Sequence, residues 1–97
     1  MKSELEDKDR EALLILAEEC AEVIQAVSKI FRFGADTEYP EEGPTNLMRL
    51  EEEIGDLEAL TKILIECGYL NGNFVEDYSQ KKYEKLIKWS KVFKKKS

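Results

Sequence analysis

Apolar residues recur every three or four positions through three long stretches, and each stretch is bounded by residues that stop helices. The first runs from about residue 8 to 32. At about 100° per residue it places Leu13, Leu16, Cys20, Val23, Ile24, Val27 and Ile30 on one arc. Gly34 is its natural C-terminal stop. The polar loop ADTEYPEEGPTN follows, and Thr45 or Asn46 can cap a second helix that ends at Gly68. Its arc holds Leu47, Leu50, Ile54, Leu57, Leu60 and Leu64. The turn YLNGN leads to a third helix over about residues 74 to 93, capped by Asn73, with Val75, Tyr78, Leu86, Trp89 and Phe93 on its arc. No segment alternates with period two, so the pattern predicts an all-α chain.

Two glutamates break the apolar arcs. Glu19 falls between Ala26 and Ile30 on the first, and Glu53 falls between Leu60 and Leu64 on the second. Each has another acid three residues on, Glu22 and Asp56. Buried carboxylates are costly unless they are paired, protonated or bound to a cation. The segments also align with each other at an offset of 34 residues, which matches Leu16 with Leu50, Glu19 with Glu53 and Glu22 with Asp56. Two such helices packed antiparallel bring four carboxylates to one place. The spacing alone carries no weight. Acidic pairs three apart occur five times, about what 21 acids in 97 residues produce by chance. The position of Glu19 and Glu53 inside apolar arcs is the signal.

At 97 residues the chain is read as a single domain, 1–97, with a flexible basic tail at about 94–97. A chain of this length buries only roughly 60–65% of its unfolded surface, so a thin core and self-association are expected. No run is apolar enough to span a membrane, and the charged start MKSELEDKDR does not resemble a signal peptide. A cytoplasmic location is expected, with Cys20 and Cys67 as reduced core residues. The net charge of −6 conceals a polarity: residues 81–97 carry eight Lys and one Glu, and residues 1–80 carry seven basic and twenty acidic residues. Nucleic acid is a poor partner for so acidic a body.

The chain has no histidine. That excludes the Glu-x-x-His pairs of di-iron bundles and every His-based nucleophilic triad. An all-oxygen set of carboxylates suits a hard cation, Mg²⁺ first and Mn²⁺ second, together with a phosphate-bearing substrate. Gly55, beside Asp56, reads either as close helix packing or as room for a ligand. Lys82 interrupts the third apolar arc, while Lys81, Lys85 and Lys88 form a stripe; the readings are a solvated face or lysines that reach a phosphate.

AEECAEVIQAVSK followed by LEEEIGDLEALTKIL resembles the EExxE…ExxD signature of the MazG-like, all-α NTP pyrophosphohydrolases. The resemblance covers roughly residues 12–67, and KKYEKLIKWSKVF is less sharply similar to the lysine-bearing helix of small members. The thirty residues between Glu22 and Glu53 are a long spacer for the signature, so the Pro/Gly loop reads as a local elaboration. The resemblance implies a helical bundle of about three main helices per chain, completed by oligomerisation as a homodimer or homotetramer. It implies Mg²⁺-dependent conversion of a (d)NTP to (d)NMP and pyrophosphate. Carried over by position, the metal ligands are Glu19, Glu22, Glu53 and Asp56, and Glu18 orients or deprotonates the attacking water. These five form the expected catalytic set. Position alone suggests Lys82 and Lys85 for the phosphates and Trp89 for stacking on a base. The motif sets the reaction and leaves base and sugar open. Two other readings stand beside it: a non-catalytic helical-bundle interaction or regulatory protein, and a phosphate or nucleic-acid binding module using the lysine-rich end.

Overall fold

The structure, a computed structural model, describes residues 4–38 and 40–93. The expected basic tail at 94–97 lies outside them. Three helices account for the described architecture: α1 (Asp7–Phe33), α2 (Asn46–Glu66) and α3 (Gly72–Trp89). Among the described residues there is no strand, only an isolated antiparallel bridge between Glu38 and Thr45.

Local chemistry sets each boundary. The Asp9 carboxylate accepts from the Glu6 backbone N–H at 3.0 Å, which ties down the start of α1 and leaves Asp9 buried. Gly34, at φ 95°, stops α1 as its sequence position predicts. Thr45 caps α2 by accepting from the Met48 N–H at 3.1 Å. The end of α2 is a Schellman turn. Gly68 takes φ 82°, its N–H reaches the Ile65 carbonyl at 3.0 Å, and the Tyr69 N–H reaches the Leu64 carbonyl at 2.8 Å.

The third helix corrects the sequence reading at both ends. Its cap is Asn71, not Asn73, because the Asn71 side chain accepts from the Phe74 N–H at 3.1 Å. Gly72 therefore sits in the first turn, where a Cβ would come within 3.0 Å of the Ile65 side chain. The helix stops at Trp89 rather than near Phe93. Ser90 turns extended, at φ −85° and ψ 128°, and its hydroxyl accepts from the Val92 N–H at 3.2 Å, a local bond that competes with helix propagation.

The core is a two-helix hairpin. The inner faces of α1 and α2 pack together, and Ala26 and Leu64 are its buried apolar residues. α3 packs against neither helix over an extended face, and none of its residues is buried. The chain is consequently open. Its Cα radius of gyration is 16.8 Å, against about 12.5 Å for a compact domain of this length. It exposes 8325 Å², against about 5,700 Å² for a compact monomer of its mass.

Several arc residues are left uncovered, among them Ile24 at 69% exposure, Ile54, Leu86 and Trp89. The expected core cysteines are also corrected. Cys20 and Cys67 are both free and exposed, because the hairpin covers only part of each arc. A Cβ added at Gly55 would meet nothing within 4 Å, so close packing inside the chain does not account for that glycine. No helix among the described residues is long and apolar enough to cross a membrane.

Candidate functional site

Hairpin packing brings the two arc glutamates face to face. Glu19 from α1 and Glu53 from α2 are half-buried, and Glu22, also from α1, is exposed. One carboxylate oxygen from each of the three falls within 4.8 Å of the others. Glu19 Oε2 and Glu53 Oε2 are shut off from solvent and have no hydrogen-bond partner. Leaving an acceptor buried and unpaired is a cost that folding avoids unless something offsets it.

The electrostatics agree with the geometry. Desolvation first, then the charges of Glu22 and Asp56, raise the Glu19 carboxyl above its ordinary value of 4.5. Glu53 is raised above the same value, first by the Glu22 carboxyl lying near enough to favour a proton on Glu53, then by desolvation and by the charges of Glu22, Asp56 and Glu19. Both directions follow from like charges held close together with part of their hydration removed. Asp56 is exposed and acts on Glu19 and Glu53 through its charge, without joining the three-oxygen cluster. Glu18 is exposed and its charge acts on Glu19.

Beside the cluster, between α1 and α2, is a pocket of about 290 Å³ lined by Glu22, Gln25, Ala26, Lys29, Arg49, Glu52 and Glu53. Two cations, Lys29 and Arg49, therefore share a cavity with three acids, two of them from the cluster. The sequence reading passed over both. Their spacing was visible: Lys29 is seven residues after Glu22 and Arg49 four before Glu53, which keeps each on its acid's helix face. Lys82, Lys85 and Trp89 do not line this pocket. They stand exposed on α3, with Trp89 74% exposed and the Lys88 ammonium 4.9 Å from its ring centroid.

No protein-family model, curated protein or solved structure matches the chain.

The donor set at the cluster is entirely carboxylate oxygen. Such a set fits a hard divalent cation, and Glu19, Glu22 and Glu53 are the residues able to hold one, with Asp56 close enough to add charge. A cation there would offset the repulsion among the carboxylates.

Proposed function

We propose that the chain is a Mg²⁺-dependent nucleoside triphosphate pyrophosphohydrolase that converts (d)NTP to (d)NMP and pyrophosphate. One observation carries the reading: two helices bring three carboxylates together, and two of the oxygens are buried with nothing bonded to them. The EExxE…ExxD order of the same residues, with the MazG-like resemblance it supports, gives the reaction.

Glu19, Glu22 and Glu53 would hold the cation, and Asp56 would add negative charge beside it. A hard divalent ion bound there supplies positive charge against the phosphate oxygens and eases deprotonation of water. Lys29 and Arg49, on the pocket wall, pair with the phosphate chain as point-charge and forked donors. Glu18 accepts a proton from water. The water oxygen bonds to the α-phosphorus, the bond from that phosphorus to the bridging oxygen breaks, and pyrophosphate leaves. Positioning and electrostatics supply most of the acceleration.

The working form is a homodimer or homotetramer. Support comes from the uncovered arc residues Ile24 and Ile54, from an α3 with no buried residue, and from the exposed area well above that of a compact monomer. In such an assembly Lys82, Lys85 and Trp89 reach a nucleotide only by way of another subunit. Phosphorus NMR of a reaction mixture tests the cleavage point. Pyrophosphate with NMP is expected; orthophosphate with NDP would keep the cation site and overturn the reaction.

A further inference from the structure

We infer that α3 of one chain seats on the outer face of α2 in a second copy, and that the exchange is reciprocal. The inference names a docking surface and its occupant, and it does not depend on the reaction proposed above.

Four exposed residues of α2, Leu47, Glu51, Ile54 and Glu58, follow one another at i, i+4, i+7 and i+11. At about 100° per residue they share an arc of about 60°. Four exposed residues of α3 repeat that spacing: Tyr78, Lys82, Lys85 and Trp89. Each stripe holds two apolar or aromatic side chains and two charges, acidic on α2 and basic on α3. The surfaces match in spacing and width and are opposite in sign. Lysines within an aromatic arc are poorly placed against a purely apolar partner and well placed against one that carries glutamates.

Within one chain the stripes do not meet. A short turn joins α2 to α3, and Gly72 holds the start of α3 close against the Ile65 side chain. Beyond that junction α3 packs against neither helix over an extended face, and none of its residues is buried. Glu58 does meet Lys62 at 3.4 Å, an exposed pair of the kind worth little and easily exchanged. A second copy supplies the missing partner, because every chain carries both stripes. Reciprocal pairing about a two-fold axis uses each stripe once and closes the pair.

Area and charge support this occupant. The chain exposes 8325 Å², roughly 2,600 Å² more than a compact monomer of its mass. A standard interface takes about 800 Å² from each partner, so the surplus exceeds what one stable dimer requires. Of its charged residues, α2 has six acids and two bases, while the stretch from Lys81 to Lys91 has five lysines and one glutamate. The α2 stripe also lies about a third of a turn from Glu53 and on the side away from Asp56. A partner helix seated there leaves the carboxylate cluster open, with Lys29 and Arg49 as the cations of its pocket.

The test is charge exchange read by sedimentation equilibrium at micromolar concentration. Two double variants are made, Lys82→Glu/Lys85→Glu and Glu51→Lys/Glu58→Lys, and circular dichroism verifies their helices. The wild type is expected at two or four times the chain mass of 11.2 kDa. Each double variant alone is expected to dissociate at least tenfold more readily. Their equimolar mixture is expected to regain the wild-type mass, since both reciprocal contacts then pair opposite charges. The quadruple variant, with all four charges reversed in one chain, is also expected to associate, and it decides the matter if a double variant unfolds. A monomeric wild type, double variants that keep the wild-type mass, or failure of both the mixture and the quadruple variant to associate overturns the inference. A monomeric wild type that sediments with phosphatidylserine vesicles would assign the α3 face to a membrane surface instead.

Discussion

Glu19 on α1 and Glu53 on α2 each turn one carboxylate oxygen into the helix interface, where neither water nor a hydrogen-bond donor reaches it. A helix pair free to optimise stability alone would place leucine at both positions, since a well-packed apolar side chain usually matches or exceeds a buried charge. Glu53→Leu in the metal-free protein is accordingly expected to raise the melting temperature while abolishing any stabilisation by Mg²⁺. A melting temperature below that of wild type in EDTA would contradict this account of the pair.

The raised carboxyls give stability a definite pH slope. Folded Glu19 and Glu53 hold protons more tightly than the unfolded chain, whose glutamates titrate near 4.5. Their favourable contribution is complete below that value and is lost as pH rises through the higher folded values. Urea midpoints for the metal-free protein should therefore fall from pH 4.5 upward, and saturating Mg²⁺ should flatten the decline. A profile unchanged by Mg²⁺ would argue against cation binding by these acids.

Leu64 is the most buried apolar side chain of the hairpin, at 3% exposure. Leu64→Ala is expected to cost about 2–5 kcal/mol in urea denaturation. Such a loss is a large share of the total stability of a small domain.

Asn46 anchors the loop to the end of α1 through the Gly34 carbonyl. Asn46→Ala leaves that carbonyl without its side-chain donor and should cost about 1–3 kcal/mol. Urea denaturation of the variant checks this loss. An unchanged urea midpoint would show that the anchor contributes nothing to stability.

The open arrangement of α3 leads to an expectation about mass. Sedimentation equilibrium should give two or four times the chain mass of 11.2 kDa. Ile24→Lys, at an apolar position 69% exposed in the single chain, should shift the population towards monomer. A wild-type monomer at micromolar concentration would contradict the proposed assembly.

The three helices were legible because period-3.6 patterning and glycine stops are local signals. Gly34, Thr45 and Gly68 mark their boundaries as the sequence suggests. The start of α3 was not, because NGN offers two asparagines and only the backbone geometry selects Asn71 over Asn73. The meeting of Glu19, Glu22 and Glu53 followed from their phase on two helices expected to pack antiparallel. The exposure of Cys20 and Cys67 did not follow, since an apolar arc does not reveal how much of it one partner helix covers. Lys29 and Arg49 were missed for another reason. Cations one or two turns from an acid look like ordinary surface pairs until a shared cavity joins them.

The most direct test is pyrophosphate release from a panel of NTPs and dNTPs, in Mg²⁺ and in EDTA, by the wild type and by Glu53→Gln. The expected result is release in Mg²⁺ only, falling roughly 100-fold or more in Glu53→Gln, because changes even beyond the direct ligands cost about 10–100-fold at metal sites. Release that persists in EDTA, or is undiminished in Glu53→Gln, would contradict a cation-dependent reaction at these carboxylates.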